Sequence, residues 1–407
     1  MQRAVVRRAW PALLLVAFAA VGFAAVYKQV RDGNDFPIYW QAARDVLAGR
    51  SPYLAGEGLH GYVYLPWFAW ALVPLALLPL PAAAWCWYVV NLGCTWIAGR
   101  LLLASLRDAG VSTPPATIAL AALPLAALFH DNLVLGQANL LELLLVALAV
   151  RGAVGGFPLG LAAALKMPAG VLVLPFVVRG RGRVVFGAVL GIVLALGVPL
   201  LAPGGVTRLG EWHAKVIAPA QAGTLQGSKI IDQSPQAALR RLVVAGPAFD
   251  EHSVNVAALD PATFAQVSRI VSLVFLAGYA VVWWFAPQRG SPRALLLDLA
   301  LGCCAMVQLT GFTLKAQFVV LLLPAWLAAA LAWERPQRTP RVALVVAGAL
   351  FLLSQPGVVG RTASNWMLAW SSMTVATIIL AKVLAWQRLT LPPSAAPAAV
   401  PAAGTAP

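Results

Sequence analysis

Fourteen acidic side chains stand among 407 residues, few enough to be weighed one at a time as proton acceptors. Asp32, Asp35, Asp45 and Glu57 fall between residues 28 and 61, and Glu211, Asp232, Asp250, Glu251 and Asp260 between residues 204 and 261. Asp108 and Glu334 neighbour basic stretches, Asp131 and Glu142 flank Gly136-Gln137-Ala138-Asn139, and Asp298 begins an apolar run. Asp35 is set apart by its neighbours. In Asp35-Phe-Pro-Ile-Tyr39-Trp40-Gln-Ala-Ala-Arg44 the carboxylate stands where the chain leaves its first apolar run, ahead of an amphipathic turn with two aromatics. Partial burial at a water boundary raises the proton affinity of a carboxyl group, as a general base requires. The same spacing suits an N-cap carboxylate on an interfacial helix with an aromatic belt, and the residues alone leave both readings open.

Lys166 breaks the apolar stretch from Gly155 to Val178, in Ala163-Ala-Leu-Lys166-Met-Pro168. A lysine at membrane depth costs ~2.5 to 3.5 kcal/mol on insertion scales and usually faces a cavity; a snorkelling residue at a hairpin tip is the alternative. Lys315 stands at the outer end of two apolar runs, and Arg240 and Arg241 follow Asp232-Gln233-Ser234. That arginine pair suits an anionic ligand or the anchoring of an amphipathic helix on lipid headgroups. Trp40, Tyr53, Tyr62, Tyr64 and Trp67 offer faces on which a glycan could stack, or a belt at the membrane interface. Cys86, Cys94, Cys303 and Cys304 lie in apolar runs without metal-ligand spacing, and the adjacent pair is poorly placed to bridge. They read as packing residues, and no metal site is expected.

Membrane helices must position these groups. The chain is 61% apolar and 11% charged, with a mean hydropathy of +0.81, too little polar surface to coat a water-soluble globule of this size. Apolar runs near spanning length cover 9–27, 82–103, 184–202, 264–286, 295–313, 318–333 and 367–386. Lipid offers backbone groups no partner, so these runs must be helices or be wrapped by protein. The expected fold is an all-α polytopic membrane protein with about 9 to 12 membrane helices, some short or re-entrant. One domain covers 1–391, with outer loops at 28–61 and 204–261, and a disordered Ala/Pro-rich tail covers 392–407. The first run is kept as a span because residues 21–28 lack a convincing cleavage site. The net charge of +15 gathers in Arg3, Arg7 and Arg8, in Arg179, Arg181 and Arg183, in Arg289 and Arg293, and in Arg335, Arg338 and Arg341. Those are cytoplasmic loops by the positive-inside rule, which explains the basic balance without nucleic acid. Both termini are then cytoplasmic, in a membrane of the bacterial inner type. Full spans at both 62–79 and 82–103 would leave Arg100 and Arg107 outside, so Pro66, Pro74, Pro79 and Pro81 mark a segment that stops or re-enters.

Along the chain follow Asp35-Phe-Pro-Ile-Tyr39-Trp40-Gln-Ala-Ala with Leu47-Ala-Gly49-Arg-Ser-Pro52-Tyr53 and Tyr62-Val-Tyr64-Leu-Pro66-Trp-Phe68, then Leu135-Gly136-Gln137-Ala-Asn139-Leu140, Ala163-Ala-Leu-Lys166-Met-Pro168 and Asp232-Gln233-Ser234. In that order these motifs resemble glycosyltransferase family 87, the polyprenol-phosphate-mannose-dependent mannosyltransferases. The resemblance implies a GT-C fold and a lipid-phosphate-linked sugar as donor substrate, with no cofactor and no dedicated metal. It makes Asp35 the general base that takes the acceptor's hydroxyl proton as that oxygen displaces a polyprenyl phosphate with inversion. Lys166, Lys315, Gln317, Arg240 and Arg241 become candidates to meet the donor phosphate and lipid, since charge develops on that leaving group. Tyr39, Trp40, Tyr64, Gln137, Asn139 and Gln233 become candidates to bind sugar and acceptor. The expected partners are membrane lipids, the polyprenyl-phosphate sugar and a glycolipid or glycan acceptor. One departure stands in Leu314-Lys315-Ala-Gln317-Phe318, where family members often carry Trp-Lys-x-His-Phe. Glutamine donates a hydrogen bond but carries no proton; His130, just before the Gly-Gln-x-Asn stretch, is the candidate to replace that histidine.

Other classes share part of this pattern. A transporter or lipid flippase would place coupled ionisable residues deep in several helices, and only Lys166, Glu142 and Asp298 approach that. A lipid-linked glycan polymerase or ligase would use Arg240 and Arg241 in a large outer loop and tolerate loss of Asp35. A non-catalytic scaffold would account for the departure at Gln317.

Overall fold

The computed structural model describes residues 20–32, 34–53, 61–221, 230–287, 290–335 and 337–392. Arg3, Arg7, Arg8, Glu57, Arg289 and the tail from residue 393 lie outside them. Residues 20–31 are helical (α1) and lead into α2, Asp35–Leu47. Phe36, Tyr39, Ala43 and Val46 fall on one stripe of α2 at helical spacing and are buried. The proline-rich stretch that follows forms two short helices, Pro66–Ala71 and Val73–Ala76, each with proline in its first turn. Four residues later α3, Leu80–Asp108, crosses the whole molecule. Its buried stripe runs through Trp87, Asn91, Cys94, Ala98 and Leu102, while Val89, Val90, Trp96 and Ile97 face outward, as suits a helix between protein and lipid. The segment 62–79 therefore does not span, and the last turn of α3 carries Arg107 to the arginine-rich end, where Asp108 pairs with Arg151.

The return crossing, Pro115–Leu135, bends through a 3-10 turn at Leu123–Leu125 and ends in α4, Ala126–Leu135. Next come α5, Asn139–Val150, and α6, Phe157–Leu165, then a 3-10 and helical return through Met167–Val173 and Leu174–Val178. Twelve residues of α5 reach only about 18 Å, against a hydrocarbon thickness of about 30 Å. Helix α5 alone is thus too short to cross. Helix α7, Gly182–Leu200, leads to the outer α8, Pro235–Val243, and the bundle is completed by α9, Pro261–Phe285, α10, Pro292–Gln308, α11, Leu322–Glu334, α12, Arg338–Leu353, and α13, Ser372–Leu389. Among the described residues five helical runs are long and apolar enough to cross a membrane, six if Arg361–Ala369 and α13, bent by 58°, count as one broken span. No β-strand occurs among them; Asp232 and Leu314 form an isolated antiparallel bridge. The molecule is an all-helical polytopic membrane protein. Helix α10 is its centre, buried on nearly every side, whereas α9 stands at the lipid edge. Cys94, Cys303 and Cys304 are buried packing residues, and Cys86 is exposed.

Polar contacts sort the two ends of the bundle. At one end Arg293 reaches Glu334 and the carbonyls of Ala109 and Gly110, and Asp298 is clasped by Arg179 and by Arg388 at 2.8 Å. The other end gathers α2, the loops 61–79 and 230–261, and the tip at Gly136–Asn139 and Lys166.

That tip is set by glycines. Helices α6 and α7 pack backbone to backbone: a Cβ on Gly160 would stand 2.0 Å from the Ala188 carbonyl oxygen, one on Gly187 2.0 Å from that of Gly155, and one on Gly191 2.5 Å from that of Phe157. Gly156 and Gly160, like Gly187 and Gly191, have the four-residue spacing by which membrane helices approach closely. Gly160→Ala is expected to lower stability by about 1 to 3 kcal/mol, the range for overpacking, seen as earlier thermal unfolding in detergent. Gly93→Ala, whose Cβ would meet nothing within 4 Å, is the control and should leave the transition in place.

Candidate active site

Asn34 takes the N-cap position of α2, which makes Asp35 its first helical residue rather than its cap. A carboxylate there is favoured by the positive end of the helix dipole. Opposite it, Gly136 ends α4 at φ +68°, a conformation open to glycine, and a Cβ there would lie 2.7 Å from Cβ of Phe36. The Trp87 indole donates to the Gly136 carbonyl at 2.8 Å, and Gln29 donates to the Leu133 carbonyl at 2.5 Å. This close seam aims Gln137 at Asp35. A carboxylate only accepts, so the bond between these side chains is donated by the Gln137 amide nitrogen. Burial pushes the Asp35 carboxyl above the usual carboxylate range, opposed by the Gln137 bond and by the charge of Lys166.

From Gln137 the hydrogen bonds continue inward with one polarity. Gln137 Oε1 accepts from Asn139 Nδ2 at 2.6 Å, and Asn139 Oδ1 accepts from Lys166 Nζ. The second hydrogen of Asn139 Nδ2 goes to Asn132 Oδ1 at 2.8 Å, and Asn132 Nδ2 donates to the carbonyls of Leu128 and Ala316, 2.7 and 2.8 Å away. Both asparagine side chains thereby use every donor they have. Lys166 follows α6 in extended conformation, φ −140° and ψ 113°, because Pro168 prevents the helix from continuing. Its ammonium lies 6.0 Å from the centre of the Tyr64 ring. Tyr39 and Tyr64 share a hydroxyl contact of 2.9 Å, with rings nearly perpendicular. Tyr53 donates to the Tyr64 carbonyl at 2.7 Å, and the Trp67 indole to that of Ala164 at 3.1 Å, which fixes the first outer loop over the lysine.

Asp35, Tyr39, Tyr64, Gln137, Asn139 and Lys166 thus form one cluster drawn from four segments of chain. Trp40 points elsewhere, donating to the Leu78 carbonyl at 3.1 Å beneath the Arg44 guanidinium. Lys315 is paired with Asp131 at 3.1 Å, and exposed His130 stands 3.8 Å from the same carboxylate. Gln317 lies half-buried on the segment that Asn132 holds through Ala316. The second outer loop forms a separate knot. Gln233 donates to the carbonyls of Ile230 and Leu368, and Arg241 to those of Asp232 and Ala369 and to Ser371. Arg240 lies over the Phe264 ring, 5.6 Å from its centre. Asp232 accepts from the amides of Thr313 and Ser234, both at 3.0 Å, and so ties this knot to the strand-like segment before Lys315. Gln233 and Arg241 hold backbone carbonyls and a hydroxyl of this knot and do not contact Asp35. An apolar groove of about 320 Å³, lined in part by Phe275, Tyr279, Gln308 and Lys382, holds none of the clustered groups. Among the described residues no group of three or more His, Cys, Asp or Glu could hold a metal ion.

Two positions acquire importance only in three dimensions. Asn132 precedes Asn139 by seven residues, a two-turn spacing interrupted by Gly136, and Trp87 reaches the site from a different span. The family model of glycosyltransferase family 87 matches residues 62–313. The chain belongs to glycosyltransferase family 87. No curated protein and no solved structure matched. The matched range of this family 87 member includes Tyr64, Gln137, Asn139, Lys166, Gln233, Arg240 and Arg241, while Asp35, Tyr39, Trp40, Lys315 and Gln317 flank it. In this glycosyltransferase it is the fold that brings Asp35 from outside the matched range onto Gln137 inside it.

Gln137→Leu removes the donor to Asp35 and interrupts its connection to Lys166. The carboxyl should then take up its proton at a pH higher by about one unit, read as the midpoint of its infrared carboxylic-acid band, assigned by loss in Asp35→Asn. An unchanged midpoint would mean that Gln137 does not support the charged form.

Proposed function

We propose that this family 87 glycosyltransferase moves a hexosyl group, mannose foremost, from a polyprenyl-phosphate donor to a hydroxyl of a glycolipid or glycan on the extracytoplasmic side of a bacterial inner membrane. The observation that carries the reading is a half-buried carboxylate, Asp35, held by Gln137 in a cluster that also contains a lysine. The arginine-rich end of the bundle marks the cytoplasmic side, and the cluster lies toward the opposite end, where a donor with its chain in lipid and its phosphate at the interface would meet it. A GT-C architecture agrees with the short, broken helices around the tip.

In the proposed reaction the acceptor's hydroxyl oxygen attacks the anomeric carbon while Asp35 takes the hydroxyl proton. The new oxygen-to-carbon bond forms as the bond from that carbon to the phosphate oxygen breaks, and the electron pair leaves on the polyprenyl phosphate. Attack opposite the leaving group inverts the anomeric centre, so a β-linked donor yields an α product. The partial burial that raises the proton affinity of Asp35 makes it a better base than a free carboxylate. Lys166 supplies positive charge near both the carboxylate and the phosphate, and the crossed, buried Tyr39 and Tyr64 rings wall the site beside them. Lys315 and Gln317 stand close enough in sequence to Ala316, which Asn132 holds, to meet the donor from the other side.

In nanodiscs supplied with polyprenyl-phosphate-mannose and membrane glycolipids, wild type should release polyprenyl phosphate and transfer mannose. Asp35→Asn should lower transfer by a factor on the order of 10³, within the span for general-base loss, without loss of folding. Transfer that survives the substitution would take Asp35 out of the mechanism, and no transfer by wild type from any polyprenyl-phosphate sugar would overturn the donor class.

A further inference from the structure

Glu142 is the one clustered carboxylate that the reaction leaves unused. It lies one helical turn after Asn139 on α5, on the face that Asn139 presents to Lys166, and its side chain is buried, with the residue only 2% exposed. It interacts electrostatically with Lys166 and with Tyr64, both of which also interact with Asp35, so the two carboxylates share one ammonium. The ionisable groups that interact with it come from three elements, Lys166 after α6, Tyr64 of the stretch before Pro66, and Cys303 of α10, while Lys315, on the segment packed on α5, is paired with Asp131. Lys166 is thus the cation left for Glu142 among the described residues, and Lys166 in turn interacts with both Glu142 and Asp35.

A charge at membrane depth must be compensated, and removing one partner of such a pair leaves the other exposed to the full cost of burial. In the proposed reaction Asp35 becomes neutral on taking the acceptor's proton, so Lys166 loses one of its two negative neighbours. We infer that Glu142 is the standing counter-ion of Lys166, a positioning residue through which Asp35 can gain and release a proton without stranding an ammonium in the membrane. The ammonium then stays charged throughout the cycle. With Asp35 ionised the three groups carry one net negative charge; with Asp35 protonated they are neutral. This rests on the proposed role of Asp35 for its catalytic meaning, but the charge coupling itself does not.

The test reads the infrared midpoint of the Asp35 carboxyl in purified protein, beside the acid limb of the pH-rate profile. Glu142→Gln should move the midpoint down by about one pH unit and Lys166→Met should move it up by about as much, because the first removes a like charge and the second an opposite one. Lys166→Met combined with Glu142→Gln should return it toward wild type, and Glu142→Asp should preserve it. A merely structural Glu142 would lower folded yield without moving the midpoint, and an unmoved midpoint in Glu142→Gln overturns the inference. If that variant does not fold, Lys166→Met combined with Glu142→Leu is compared with Lys166→Met alone. A lower midpoint in the double variant supports the coupling, and equal midpoints overturn it. Midpoints that shift as expected in a protein inactive with every polyprenyl-phosphate sugar would uphold the counter-ion and sink the transferase reading alone.

Discussion

A lysine charged at membrane depth can be kept only where fixed dipoles and opposite charges surround it, and the outer half of this molecule is arranged around that constraint. Lys166 gives its hydrogen to Asn139, Asn139 to Gln137, and Gln137 to Asp35, so each amide points its oxygen toward the cation and its nitrogen toward the anion. Neither amide can turn over without setting donor against donor or oxygen against oxygen. The charges at the two ends thus fix the amides, and the amides hold the carboxylate and ammonium apart at a constant spacing. Separation by two amides keeps Asp35 out of a direct ion pair, so a proton on it would break none.

The surrounding fold supplies rigidity where this chain needs it. Gly136 lets α4 turn back against Phe36, and Trp87 clamps the same peptide from α3. The glycine-lined contact of α6 with α7 brings the carbonyl ladder of one helix against the backbone of the other, which sets the height of Lys166 in the bundle. The segment before and through Lys315 joins the 230–261 loop to α4, since Asp232 holds it at Thr313 and Asn132 holds it at Ala316. Burial of the Arg241 guanidinium, which lowers its proton affinity to about 10, is offset by Asp232 and by three backbone or hydroxyl acceptors. Arginine serves that purpose better than lysine because its planar fork reaches several acceptors at once.

Much of this was legible in the residues. Hydropathy and arginine placement reveal a helical membrane bundle, and the conflict between Arg107 and two adjacent spans correctly points to the prolines of 62–79. The helices Pro66–Ala71 and Val73–Ala76 are the physical answer, each too short to cross. Asp35, Gln137, Asn139 and Lys166 stand out in sequence by unusual setting, yet nothing in their spacing foretells the order in which they bond. That order depends on Gly136 and on the α6 and α7 contact, which are long-range packing events. Gln233 and Arg241 illustrate the converse, because a polar motif in an outer loop invites a ligand-binding reading until the backbone carbonyls it satisfies are known. The glycine spacing in 156–160 and 187–191 was present as a signal and identifies the close helix pair on its own.

The two ends of the bundle treat charge in opposite ways, and the difference bears on what each can do. At the arginine-rich end Asp298 is gripped directly by Arg179 and Arg388, with all three side chains buried and with Arg388 also bound to the Pro287 carbonyl. Neutralising that carboxylate would strand two guanidiniums that cannot give up their protons, so the contact acts as a permanent fastener between α10, α13 and the stretch ending at Arg179. At the other end the cation is a lysine, neither Asp35 nor Glu142 forms a direct ion pair with it, and polar amides lie between it and Asp35. A proton arriving on Asp35 there changes the charge balance by one unit without breaking a direct ion pair. The same chain thus sets two guanidiniums in direct ion pairs at one end and a lysine among neutral amides at the other.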